Sequence, residues 1–194
     1  MQQLIPLIIG LAEFFDRLSL PHAFGGALAN NYWGIVRATV DVDCLVLIPA
    51  IQYQQVAEEL SRMEFVIRDE AGIDRSVTAV ALRNQAQESK LIELFCRGLR
   101  VELFVPFLPI QNEILKRAVR VPFENRELSV TTAEDLILLK LAFHRQKDLA
   151  DIRGMLWVQR GQLDLDYLRL WSGKMLEDAI QHELDDLIRA YASP

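Results

Sequence analysis

Asp41 and Asp43 stand two residues apart at the head of the apolar run VDVDCLVLI. A run of this composition reads as a buried strand, and side chains alternate along a strand. Both carboxylates therefore point to one face of whatever sheet the run enters. Adjacent carboxylates repel and resist joint ionisation unless a cation lies between them. A divalent metal relieves that repulsion, and hard oxygen ligands suit Mg²⁺.

A second feature lies just upstream. HAFGG reads as a short strand ended by Gly25 and Gly26, which open the helix ALANNYWG. This arrangement sets backbone N–H groups at a helix N-terminus, a natural anion site. Arg37 and Thr39 come next, immediately ahead of the acidic pair. Taken singly, an acidic pair at a strand start is usually solvated and a Gly-Gly pair is usually a turn. The ordered set of strand, Gly-Gly, helix, R-x-T-x-D-x-D and apolar strand is far more specific.

GGALANNYWGIVRATVDVDCLVL resembles the opening motif of the DNA polymerase β-like nucleotidyltransferase superfamily, in particular the minimal bacterial branch that includes abortive-infection nucleotidyltransferase toxins. TTAEDLILLKLAFHRQKDLADIRGML, at 131–156, resembles the downstream helical motif of the same branch. The resemblance implies an α+β fold in which helices flank a mixed sheet, with a C-terminal helical bundle after it. It implies transfer of NMP from an NTP to an acceptor, with Mg²⁺ or Mn²⁺ as cofactor. Asp41 and Asp43 become catalytic metal ligands, and a third carboxylate is needed because two leave a second metal underligated. Glu102, in LRVELFVP, is the candidate, with Glu93 on the preceding strand as its rival. The family more often carries Asp there, and Glu reaches one methylene farther.

By the same resemblance, Gly25 and Gly26 donate backbone N–H groups to the β- and γ-phosphates. The family's frequent Gly-Ser is Gly-Gly here, so a serine hydroxyl contact is missing. Arg37 and Thr39 line the nucleotide pocket. The competing readings are an ion pair between Arg37 and a nearby acid such as Asp41, and a loop-orienting role for Thr39. Lys140 interrupts LILLKLAF, where an ammonium must find an anion or reach water. The resemblance gives it the triphosphate, with Arg145, Lys147 and Asp148 building or bracing the pocket. Asp148 and Asp151 have ordinary intrahelical pairs as their alternative. If the helix runs through, Lys140, His144, Lys147 and Asp151 share one stripe.

The rest of the chain sets the frame. Its 194 residues suffice for a substantial core. Strand and helix signals mix up to about 130 and only helical signals lie beyond, which predicts an α/β core at 1–130 and a helical subdomain packed on it at 131–194. Strands are expected at 21–25, 39–48, 64–68 and 77–82. LIELFC and LRVELFVP form a hairpin bent at Arg97-Gly98. Thr131 and Glu134 match a capping box, and Gly173 separates helices at 164–172 and 174–190.

MQQLIPLIIGLAEFF has no basic leading region and is interrupted at Glu13, so it reads as an amphipathic helix and the protein is expected in the cytoplasm. Cys44 and Cys96 read as buried reduced thiols, and three scattered histidines make no zinc site. A net charge of −6 argues against sequence-independent duplex binding, although Arg97, Arg100, Lys116, Arg117 and Arg120 offer a basic patch for RNA. No segment is apolar enough to span a membrane. A hydrophobic content of 51% points to a face covered by a second copy or an antitoxin partner.

Three acceptor classes stand open for the transferase: RNA, protein or a small molecule. The non-enzymatic alternative is a degenerate nucleotide-binding or interaction module, antitoxin-like. The Glu102 departure and the missing serine motivate it.

Overall fold

The computed structural model describes residues 3–192. Helix α1 (Leu4–Arg17) and strand β1 (His22–Phe24) lead into α2 (Gly26–Trp33), β2 (Asp41–Val46) and α3 (Tyr53–Arg62). After these come β3 (Val66–Arg68), β4 (Asp74–Ser76), α4 (Ala79–Glu88), β5 (Leu91–Cys96) and β6 (Leu99–Phe104). The next segments are α5 (Pro109–Arg117), β7 (Val119–Phe123) and β8 (Arg126–Val130). Helices α6 (Ala133–Phe143), α7 (Gln146–Val158), α8 (Leu165–Met175) and α9 (Asp178–Tyr191) complete the described chain. The class is α+β. No helix among the described residues is long and apolar enough to cross a membrane.

These elements form two compact units. One comprises the chain up to Gly25 together with Thr39–Val130, and the other comprises Gly26–Ala38 together with the chain from Thr131 onward. Helix α2 thus belongs with the C-terminal helices and not with the strands that flank it in sequence.

The first unit is built on one mixed sheet of order β4-β3-β5-β6-β2-β1-β8-β7. β2 runs parallel to β6 and β1 parallel to β8, while the other pairings are antiparallel. Alternation sorts the central strands cleanly. Val42, Cys44, Val46, Ile92, Leu94, Val101 and Leu103 are buried, and Asp41, Asp43, Glu93 and Glu102 are half-buried on the opposite face. Helix α1 buries Ile8, Leu11, Phe14 and Phe15, and the Phe15 ring meets those of His22 and Phe24. The Arg97-Gly98 bend places both residues at positive φ (50° and 81°), the requirement of a type I′ hairpin turn. Cys44 and Cys96 are free thiols.

The expected strand at 77–82 is absent. VTAVAL alternates and is rich in β-branched residues, yet Thr78 caps a helix there by accepting the Ala81 N–H at 3.2 Å. The segment RNQAQE continues that helix with mostly good formers.

In the second unit, α2 is tied to the entry of α6 by Trp33, whose Nε1 donates to the Thr131 carbonyl at 2.7 Å. Gln159, just past α7, donates in turn to the Trp33 carbonyl at 2.9 Å. The cap of α6 lies one residue later than expected. Thr132 accepts the Asp135 N–H at 3.2 Å, and the hydroxyl of Thr131 is buried without a hydrogen-bond partner. Gly173 lies inside α8, and the break falls after Met175. The helix does not run through RQKDLADI either. His144 adopts the left-handed conformation (φ 50°) and ends α6, so the stripe from Lys140 to Asp151 is not continuous.

A candidate active site on the central strands

The parallel pairing of β2 with β6 sets Asp41 beside Arg100 and Asp43 beside Glu102. The β5–β6 hairpin adds Glu93 beside Glu102. Paired residues in register point to the same face, so Asp41, Asp43, Glu102 and Glu93 share one side of the sheet with Arg100 among them. The sequence offered Glu93 and Glu102 as rivals; the register puts both on that face.

Arg100 is the residue that sequence reading misplaced, by grouping it with a surface patch. Its Nη2 lies 3.3 Å from Asp41 Oδ2, and its Nη1 lies 3.2 Å from Glu93 Oε1 and 3.3 Å from Glu102 Oε1. Three carboxylates thus contact one guanidinium while Asp43 stands beside Glu102, and the face remains short of positive charge. The Glu102 side chain is 17 % exposed. Desolvation, the contact with Asp43 and the charges of Asp43 and Asp41 push its carboxyl up to about 7, against the opposing pull of Arg100. Carboxylate oxygens are the donor type that a hard divalent cation takes. Among the described residues, no three His, Cys, Asp or Glu side chains are gathered closely enough to enclose a metal.

The raised pKa carries a stability prediction. Folding favours the protonated Glu102, so its contribution is complete below the ordinary 4.5 and is lost as pH rises through about 7. Glu102→Gln keeps the neutral state at every pH. Its urea midpoint is therefore expected to match that of the wild type near pH 4.5 and to exceed it above pH 7.

The glycine turn adjoins this face differently from expectation. Gly25 does not offer its amide to a phosphate, because that N–H donates to the Asp43 carbonyl at 2.9 Å as an extension of the β1–β2 ladder. Gly25 instead fixes the backbone of a site aspartate. Gly26 comes next at φ 53°, a left-handed value that glycine adopts without strain, and opens α2. Thr39 serves the backbone as well. Its hydroxyl donates to the Asp41 carbonyl at 3.0 Å and accepts the Asp41 N–H at 3.4 Å, which orients the entry to β2.

The second unit holds the remaining candidates in one ionic network. Lys140 is buried, and its Nζ lies 2.6 Å from Asp151 Oδ2 and 3.3 Å from Asp148 Oδ1. These are contacts between α6 and α7, not pairs within α7. Arg145 Nε donates to Asp148 at 2.6 Å, and Arg37 grips both oxygens of Asp151 at 3.2 Å. Arg37 thus pairs with an acid, but with Asp151 and not with Asp41. Burial alone would raise the Asp148 carboxyl, yet hydrogen bonds and charge from Arg145 and Lys140 outweigh it and hold the pKa below the ordinary carboxylate value. Asn31 grips the backbone of Arg37 from both sides, accepting its N–H and donating to its carbonyl at 2.8 Å each. Lys147 is exposed, and His144 pairs with Glu183 at 2.5 Å. No pattern in the chain pointed to Asn31. Asp151 was visible as a member of an ordinary intrahelical pair and of the stripe that the break at His144 dissolves.

No family model and no curated protein sequence matches the chain. Solved structures do. The solution structure of the antibiotic-resistance factor ANT(2'')-Ia aligns over 95% of this chain and 98% of its own, with a TM-score of 0.57 at 11% identity. The chain has a nucleotidyltransferase fold. A crystal structure of ANT(2'')-Ia in complex with adenylyl-2''-tobramycin aligns over 89% of this chain and 97% of its own, with a TM-score of 0.56 at 11% identity. An antigenic nucleotidyltransferase-like protein from Paracoccidioides brasiliensis aligns over 100% and 95% of the two chains, with a TM-score of 0.45 at 15% identity.

Proposed function

We propose that the protein is a metal-dependent nucleotidyltransferase that transfers NMP from an NTP to an acceptor hydroxyl and releases pyrophosphate. The observation that carries this reading is the shared face of Asp41, Asp43 and Glu102, fixed by the β2–β6 register within a nucleotidyltransferase fold. These three side chains would hold Mg²⁺ or Mn²⁺. When bound, the metal neutralises the charge on the phosphoryl oxygens and lowers the barrier to in-line displacement.

The chain's own residues do the rest. Asp43 and Glu102 sit at matched positions of the central strand pair, which fixes their backbones side by side. A cation relieves the field that holds the Glu102 carboxyl up to about 7, which couples its ionisation to cation binding. Arg37 and Arg145 carry partly exposed guanidinium groups on a buried Lys140–Asp148–Asp151 centre. The five groups sum to one positive charge, which complements a triphosphate. We assign the triphosphate to this network and give Lys147 and Gly26 supporting contacts. The acidic balance of the chain, −6, and its anionic sheet face favour a small or cationic acceptor over RNA.

The test is a transfer assay with each α-labelled NTP, Mg²⁺ and three acceptor sets: hydroxyl-bearing small molecules, proteins and RNA. Label is expected on a small molecule. Label on tRNA or protein would support the toxin-like acceptor instead, and NTP binding without transfer would support the inert module. Arg37→Ala tests the triphosphate assignment separately. The KM for NTP is expected to rise about tenfold or more with little change in fold.

A further inference from the structure

Arg100 reaches three of the four carboxylates on the sheet face. Its two terminal nitrogens divide the work: Nη2 holds Asp41, and Nη1 is shared between Glu93 and Glu102. A guanidinium never loses its charge at physiological pH, so the contact cannot be relieved by deprotonation. Two of the carboxylates assigned to the metal, Asp41 and Glu102, are thereby engaged by different nitrogens of one guanidinium. Closing them around an ion requires that group to move. Glu93 gives it somewhere to go, because Glu93 sits on β5, on the far side of β6 from Asp41 and Asp43.

We propose that Arg100 is a built-in competitor for the divalent cation: it bridges Asp41 and Glu102 while the metal is absent and withdraws onto Glu93 when the metal binds. The inference rests on the assignment of Asp41, Asp43 and Glu102 as metal ligands. Arg100 acts through those ligands and is a positioning residue. Its consequence is a raised threshold for metal loading. A cation brought in with a nucleotide triphosphate displaces the guanidinium more readily than the free ion does, since the phosphates supply further ligands.

The experiment is a Mn²⁺ titration followed by electron paramagnetic resonance, without nucleotide. It uses the full chain as wild type, Asp43→Asn, Arg100→Gln, Glu93→Gln and the Arg100→Gln/Glu93→Gln double variant. Arg100→Gln is expected to bind Mn²⁺ roughly tenfold more tightly than wild type. Glu93→Gln removes the resting place and is expected to weaken binding severalfold. In the double variant that weakening disappears, because Glu93 acts only through Arg100. Unchanged or weaker binding by Arg100→Gln overturns the proposal, as does a Glu93→Gln effect of the same size in both backgrounds. If Arg100→Gln fails to fold, Arg100→Lys replaces it. Lysine keeps the charge without the fork, cannot bridge two strands at once, and is expected to shift affinity in the same direction by a smaller factor. Binding that is absent from every protein, or unaffected by Asp43→Asn, would instead remove the metal-ligand assignment itself, so the two failures are distinct.

Discussion

Lys140→Met is expected to destabilise the protein by about 3 kcal/mol, the lower end of what breaking a buried ion pair costs. Methionine matches the lysine stem in length, so the core around it stays filled and the effect reports the lost charge. Asp148 is fully buried and the Asp151 side chain is 8% exposed, and each loses its Lys140 partner. Arg145 and Arg37 remain on the two carboxylates, which keeps the cost from climbing higher. Urea unfolding at neutral pH measures it. A change under about 0.5 kcal/mol, the range of an ordinary surface substitution, would contradict the network as described. The acid limb carries a second signature. The depressed pKa of Asp148 stabilises the native state above the ordinary 3.8, and that contribution fades as pH falls through the lower native value. Lys140→Met removes one source of the depression, so the acid loss is smaller and is complete at a higher pH.

Asp43→Ala is expected to reduce nucleotidyl transfer by about 10³-fold or more while leaving the fold intact or more stable. The two effects have one cause. Asp43 crowds Glu102 and lies on the same strand face as Asp41, and its removal relieves a like-charge repulsion that only a cation would otherwise offset. Activity and stability should therefore move in opposite directions, which loss through misfolding cannot imitate. Thermal unfolding of the metal-free variant alongside the transfer assay separates the two. A variant that keeps full turnover would remove Asp43 from the chemistry.

Much of this site was legible in the sequence, for an identifiable reason. The i, i+2 spacing of Asp41 and Asp43 on an apolar run fixes their common face whatever the rest of the sheet does. The hairpin at Arg97-Gly98 likewise fixes β5 against β6, since a two-residue turn leaves little freedom of register. What the sequence withheld was register between strands distant in the chain. Nothing local says that Asp41 pairs with Arg100, although Arg100 and Glu102 carry the same i, i+2 spacing as the aspartates. The ionic network was half visible. A lysine inside LILLKLAF had to find an anion, but α6 ends at His144 in a left-handed residue with no glycine to mark it. That break turns Asp148 and Asp151 back toward Lys140. The α4 error is of another kind: VTAVAL satisfies the strand pattern locally, and the cap at Thr78 decided for helix.

The role proposed for the carboxylate face of β2 and β6 is metal-dependent nucleotidyl transfer. The most direct measurement is release of labelled pyrophosphate from γ-labelled NTPs by wild type and Asp43→Ala, with and without Mg²⁺, in the presence of a panel of hydroxyl-bearing small molecules. The expected result is release that requires the divalent ion and an acceptor and that disappears in Asp43→Ala. Release indifferent to Mg²⁺, or equal in the two proteins, would contradict it.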